Sequence, residues 1–271
     1  MLWNAKNGQV SLSGTKLSYV SFGRGEKAFV ILPGLSDGLA TVRGKALLLA
    51  GPYRAFFGRY TVWMFSRKDD LPRGTSIRDM ADDQAEAMRI LGIGKAYVMG
   101  VSQGGMIAQI LAARHPEMVE KLVIAVSAPR ANETVQASVG RWIGYAKRGD
   151  HKGLMIDTAE ASYSPGRLKR YRKLYPVIGL VGKPKSYDRF LANAEAILGM
   201  DASEELGKIR CPTLIIGGGE DRIVGIGASY EMKERIPNSE LYVYPSLGHA
   251  AYEEAEDFND RVLRFLEEDG E

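Results

Sequence analysis

Ser102 stands in the run Gly100-Val101-Ser102-Gln103-Gly104-Gly105, a spacing that suits a nucleophile. A serine hydroxyl reacts poorly unless a base takes its proton and the backbone holds Oγ clear of its neighbours. A sharp turn from strand to helix does the second, but it crowds the positions two before and two after the serine, which must be nearly free of side chain. Gly100 and Gly104 meet that demand, and Gly105 adds room. A helix leaving the turn would also point its first N–H groups at the serine and favour negative charge there. The motif alone does not differ from a plain glycine-rich loop. What separates the two is context: an apolar run, Ala96 to Met99, comes before it, and a small-residue helical pattern through Met106, Ile107, Ile110 and Leu111 comes after. Neither Gly-x-Gly-x-x-Gly nor a Gly-x-x-x-x-Gly-Lys-Ser/Thr loop is present at this junction, which argues against nucleotide binding.

The chain has three histidines from which to draw a general base. His115 lies 13 residues beyond Ser102, at the far end of the helix that leaves it, roughly 20 Å away by helix rise. His151, in Gly149-Asp150-His151-Lys152-Gly153, reads as a polar surface residue. His249 follows the apolar run Leu241 to Tyr244, in a loop at the carboxyl end of a strand, where open α/β sheets place their sites. It is the expected base. A base of this kind needs a carboxylate to hold its tautomer and stabilise the imidazolium, and the loop after Thr213 to Gly217 offers Glu220 and Asp221. Asp221 is preferred, because the glycines before it let the chain swing back over the sheet edge and Ile223-Val224 can anchor it. Glu220 is the alternative.

A tetrahedral intermediate needs two N–H donors for its oxyanion. Gln103, directly after the serine, supplies one. The loop Pro33-Gly34-Leu35-Ser36-Asp37-Gly38 after the run Ala28 to Leu32 should supply the other from Leu35, with Ser36 expected to stabilise the turn.

These loops require a sheet to hold them. Strands are expected at Thr15–Phe22, Ala28–Leu32, Tyr60–Phe65, Ala96–Met99, Leu122–Val126, Thr213–Gly217 and Leu241–Tyr244, separated by stretches of helical period,. Ser76 with Asp79 three positions on is a helix N-cap signal, and the apolar residues from Ile77 to Leu91 that follow lie on one face. The alternation predicts an α/β fold with a mostly parallel sheet flanked by helices. From Pro129 to about Lys208 no strand is expected; helical stretches there are broken by Pro165-Gly166, Pro176, Gly179, Gly182 and Pro184. No internal repeat is evident.

The composition, 45% hydrophobic and 25% charged over 271 residues, is that of a folded globular protein,. A net charge of +3 and the absence of a nucleic-acid-binding motif argue against a nucleic-acid partner,. The cationic run Arg167 to Lys173 reads as the solvated face of a helix. The single cysteine, Cys211, excludes an intrachain disulfide and a thiolate metal site,; it reads as a packing residue at a strand edge. No cofactor motif and no metal-ligand set is found. Met1 to Lys6 lacks a basic segment leading into an apolar one, and no apolar stretch reaches bilayer length. The expectation is a cytoplasmic protein whose partner is a small-molecule substrate rather than a membrane; a homo-oligomer is compatible with the sequence.

Strand, oxyanion loop, Gly-x-Ser-x-Gly turn, helical insertion after Val126, then Asp221 and His249 in that order resemble the α/β-hydrolase superfamily over nearly the whole chain. The resemblance implies a core of residues 1–128 and 209–271, with a helical cap at 129–208 that shapes substrate access. It also implies acyl transfer to water, with a carboxylic ester as the expected substrate. Carbon–carbon bond hydrolases, cofactor-free haloperoxidases and lactone or small-peptide hydrolases share the triad, and a ligand receptor could retain the fold. Two features depart from parts of the family. Pro33 stands where many members have histidine, and the triple-glycine oxyanion loop of the hormone-sensitive-lipase branch is absent. Dehalogenases and epoxide hydrolases carry aspartate at the position of Ser102.

Overall fold

The structure, a computed structural model, describes residues 2–268. Eight strands form one sheet: β1 (Lys6–Leu12), β2 (Thr15–Gly23), β3 (Lys27–Leu32), β4 (Tyr60–Lys68), β5 (Ala96–Val101), β6 (Val119–Ala125), β7 (Thr213–Gly218) and β8 (Ser239–Tyr244). Their order is β1-β2-β4-β3-β5-β6-β7-β8. β1 and β2 run antiparallel to their neighbours, and every pairing from β4 through β8 is parallel. The expected parallel sheet is therefore present, with an antiparallel hairpin added at one edge. That hairpin's first strand escaped the sequence reading, since only Val10 and Leu12 of its seven residues are buried, too few to mark a period.

Central strands are covered on both faces, so they read as continuous apolar runs while their side chains still alternate. Val30 and Leu32 of β3 enter one core and Phe29 and Ile31 the other; in β6, Leu122 and Ile124 are divided from Val123 and Ala125 in the same way. The first core is closed by α2 (Ile77–Ile90), α3 (Gln103–Arg114) and α9 (Ile226–Arg235), and the second by α1 (Ala46–Ala50), α10 (Ala251–Glu254) and α11 (Phe258–Glu267). Helix α2 begins as the sequence indicates. Ser76 Oγ accepts from the Asp79 N–H at 3.1 Å, and the Asp79 carboxylate accepts from the Ser76 N–H at 2.8 Å, which satisfies two otherwise orphaned donors.

Between β6 and β7 the chain forms α4 (Glu133–Lys147), α5 (His151–Ser162), α6 (Pro165–Tyr171), α7 (Tyr175–Ile178) and α8 (Asp188–Leu198). Pro165 and Pro176 begin helices here rather than break them. Each lies in a first turn, where a missing N–H leaves no bond unmade,. Among the described residues no helix is long and apolar enough to cross a membrane.

The loops after β3, β5, β7 and β8 all leave the same edge of the sheet. That edge carries the Leu35–Gly38 turn, Ser102, Asp221 and His249.

Candidate active site

Ser102 joins β5 to α3 with φ +53° and ψ −120°, a conformation that costs a non-glycine residue of order 1–3 kcal/mol. The surroundings hold it there. Its N–H donates to the Ala125 carbonyl at 2.9 Å, and its carbonyl accepts from Ser127 Oγ at 2.8 Å and from the Gly105 N–H at 2.8 Å. The glycine requirement is visible as backbone proximity. A Cβ on Gly100 would lie 2.2 Å from the Gly104 carbonyl oxygen, and one on Gly104 would lie 1.9 Å from that of Leu32.

His249 and Asp221 meet the serine. His249 Nε2 is 2.9 Å from Ser102 Oγ, and His249 Nδ1 is 2.8 Å from Asp221 Oδ2. Both partners are buried while Ser102 keeps partial exposure. Asp221 Oδ1 accepts from the N–H groups of Ile223 and Val224 at 2.8 and 3.0 Å, the anchoring anticipated from the sequence. Burial alone would raise the Asp221 carboxyl, but the charge and hydrogen bond of His249 and these two amides outweigh it and hold the group below the ordinary aspartate value,. A carboxylate fixed in this way orients Nδ1–H toward itself and leaves Nε2 free to accept the serine proton. The alternative, Glu220, is exposed.

Leu35 opens a tight turn, Leu35–Gly38, and is buried. The preceding Gly34 lies against the serine: a Cβ there would be 3.4 Å from Ser102 Cβ and 3.9 Å from Oγ. Gln103 is fully buried as the first residue of α3. Ser36 is exposed, and its carbonyl accepts from the N–H groups of Leu39 and Ala40.

The other histidines lie elsewhere. His115 pairs through Nε2 with Asp82 at 2.7 Å. His151 corrects the expectation of a surface residue: it is 3% exposed, with Nε2 2.9 Å from the Val181 carbonyl, because the segment after α7 folds back over it. Cys211 is half-buried before β7, its thiol pushed up to about 11 by burial. Among the described residues no group of three or more His, Cys, Asp or Glu is placed to hold a metal ion.

The sequence reading missed a buried cluster beside the site. Arg67, at the end of β4, donates from Nη2 to Gln103 Oε1 at 2.5 Å and to the Gly34 carbonyl at 3.2 Å. Asp37 Oδ2 accepts from the Arg67 N–H at 3.0 Å and from Arg189 Nη2, on α8, at 2.6 Å. Burial would raise the Asp37 carboxyl, but Arg189 and Arg67 outweigh it and hold it below the usual range. Gln103 Nε2 donates to the Asn193 carbonyl at 2.8 Å. The available signal was Ser66-Arg67 continuing a buried apolar strand, where a charge needs a buried partner.

With this geometry in view, the comparisons agree on the class. The model of the alpha/beta hydrolase fold matches residues 27–256, and the chain belongs to that family of hydrolases. A protein of Caulobacter sp. (strain K31) described as a carbamate hydrolase, RutD, is 28% identical over 254 residues, covering 86% of this chain and 89% of its own. A 2-hydroxy-6-oxononadienedioate/2-hydroxy-6-oxononatrienedioate hydrolase of Pseudomonas sp. is 30% identical over 207 residues, 72% of either chain. Among solved structures, the enol-lactonase from Burkholderia xenovorans LB400 superposes with a TM-score of 0.82 at 21% identity, over 96% of this chain and 100% of that one. This last likeness is one of fold.

Proposed function

We propose that the chain is a serine hydrolase that cleaves a carboxylic ester or related acyl bond of a small molecule through an acyl-enzyme. The observation that carries this reading is the relay from Ser102 Oγ to His249 at 2.9 Å and from His249 to Asp221 at 2.8 Å, mounted on a strained strand-to-helix turn. His249 takes the serine proton as Oγ attacks the carbonyl carbon, and Asp221 stabilises the imidazolium. The N–H groups of Leu35 and Gln103 hold the oxyanion. The imidazolium then returns its proton to the leaving group. Water, deprotonated by the same base, releases the acid and restores the serine. Residues 129–208 act as a cap over the core formed by 1–128 and 209–271.

A second reading, hydrolysis of a carbon–carbon bond by the same three residues, is favoured by the Pseudomonas relative, whose substrate by name is a 2-hydroxy-6-oxo dienedioate. Labelling with a fluorophosphonate probe tests the shared chemistry: the parent protein is expected to label and Ser102→Ala is not. An unlabelled, folded parent overturns the serine-hydrolase reading. A panel of p-nitrophenyl esters, a lactone, a carbamate and a 2-hydroxy-6-oxo dienoate then separates the substrate classes by kcat/KM.

A further inference from the structure

The cluster missed in the sequence bears directly on the oxyanion hole. Arg67 is 1% exposed, and a charge in that position is costly unless paired and hydrogen-bonded. Its two hydrogen-bond acceptors are unusual in where they lie. The Gly34 carbonyl and the Leu35 N–H belong to one peptide unit, which is planar and trans, so its C=O and N–H point in opposite directions. A guanidinium that fixes the carbonyl therefore aims the Leu35 N–H the other way. Its second acceptor, Gln103 Oε1, belongs to the residue that supplies the other proposed donor.

We propose that Arg67 is a positioning residue for the oxyanion hole, holding both donor-bearing residues, Leu35 through the Gly34 carbonyl and Gln103 through its side chain, with one buried guanidinium. The proposal rests on the serine-hydrolase reading. Three features support it. The hydrogen bond to the Gly34 carbonyl polarises that peptide and strengthens its N–H as a donor. Two guanidiniums share one carboxylate, Asp37, so the cluster carries surplus positive charge beside the place where negative charge develops. The cluster is also tied to α8: Arg189 donates to Asp37 Oδ2, to the Asp37 carbonyl, to the Arg67 carbonyl at 3.0 Å and to the Lys68 carbonyl at 2.9 Å. Burial pushes the Arg67 guanidinium down to about 10, which leaves it charged at neutral pH. Both hydrogen bonds leave Nη2, the far end of the guanidinium, while Nη1 lies 3.7 Å from Asp37 Oδ2; a lysine ammonium, on a shorter side chain, falls short of the Nη2 position and cannot make both bonds beside Asp37.

The test compares the parent with Arg67→Lys, Arg67→Met and Gln103→Leu on a p-nitrophenyl ester. Donors that act mainly in the transition state lower kcat rather than raise KM. The expected result for Arg67→Lys is a fall in kcat of about 10- to 100-fold, short of the loss on deleting a donor outright, with KM within about 3-fold. Affinity for a boronic acid analogue of the tetrahedral intermediate falls in parallel, while affinity for the product acid holds. Gln103→Leu keeps the Asp37–Arg67–Arg189 ion cluster and is expected to lose kcat in the same sense, and it decides the matter if the Arg67 variants do not fold. Folded variants with kcat unchanged, or with KM alone raised, overturn the proposal. Fluorophosphonate labelling of the parent separates the two failures. A labelled, active parent with indifferent variants removes only the role of Arg67, whereas an unlabelled parent removes the hydrolase reading and this proposal with it.

Discussion

Replacing Asp221 by Asn isolates what the carboxylate does for His249. Asp221 Oδ1 accepts from two buried N–H groups at 2.8 and 3.0 Å, while Oδ2 faces His249 Nδ1 at 2.8 Å. An asparagine offers one oxygen and one NH2 in their place. With its oxygen toward Ile223 and Val224 both amides stay satisfied, but the NH2 is presented to Nδ1, which must then accept. The neutral ring carries its proton on Nε2 and cannot take the proton of Ser102. The flipped amide would restore an acceptor for Nδ1–H at the cost of setting NH2 against two N–H donors, each orphan costing roughly 1–3 kcal/mol. The inactive tautomer is thus favoured by roughly 2–6 kcal/mol, which leaves the active one at about one part in 30 to one in 10⁴. Lost stabilisation of the imidazolium adds to this. We expect Asp221→Asn to lower kcat/KM on a p-nitrophenyl ester by about 10²- to 10⁴-fold, with a near-parental melting temperature and slowed fluorophosphonate labelling. Asp221→Ala deprives all three donors of their acceptor and should melt lower than the asparagine variant. A folded Asp221→Asn protein with less than about a 10-fold loss would refute the tautomer argument.

Gly104→Ala places a Cβ 1.9 Å from the Leu32 carbonyl oxygen, a backbone atom that cannot turn aside. It should cost about 3 kcal/mol or more and be seen as a collapse in soluble yield or melting temperature, whereas Gly94→Ala, which meets open space, should stay within about 1 kcal/mol. Ser76→Ala removes the Oγ that receives the Asp79 N–H and should destabilise by about 1 kcal/mol, lowering the melting temperature by roughly 2–4 °C with kcat unchanged. Asp37 and Asp221 both titrate below the ordinary aspartate value of 3.8 when folded. Their stabilising contribution is therefore complete above that value and lost as pH falls through the folded-state values. Melting temperature should drop steeply below about pH 4, and a flat acid limb there would contradict the pairing of Asp37 with its two arginines.

Ser102, His249 and Asp221 were legible in the sequence because their logic is local. Each follows a recognisable strand, and the carboxyl edge of a parallel sheet gathers such loops without any knowledge of tertiary contacts. Arg67, Asp37 and Arg189 were not, since their bonds join residues 30 and 152 positions apart and nothing in strand or helix period records a buried ion pair. A polar residue at a strand end reads as a turn unless its partner is known. His151 was misjudged for a related reason: its polar neighbours in sequence suggest water, but the segment that buries it arrives from Val181. β1 failed on a third ground, as an edge strand with one solvated side shows little of the apolar content by which strands are found.

Two of the five helices between β6 and β7, α5 and α8, are bonded to the loops that carry the candidate site, and under the proposed function that bears on how substrate choice and catalysis are connected. The Ala250 N–H, next to His249, donates to the Ser162 carbonyl at the end of α5 at 3.0 Å. Gln103 donates to the Asn193 carbonyl of α8, and Arg189 of the same helix holds Asp37 in the Leu35–Gly38 turn. Gly38 packs so closely on α8 that a Cβ there would lie 2.9 Å from Phe190 Cα. Moving α8 away from the sheet as a rigid flap would break buried hydrogen bonds at the Leu35–Gly38 turn and at Gln103, each costly to leave unmade. Substitutions on α8 will therefore disturb the bonds that tie it to Asp37 and Gln103. Under the proposed function their effects should appear in kcat, whereas substitutions of the exposed Lys169 and Arg170 on α6 should leave kcat unchanged.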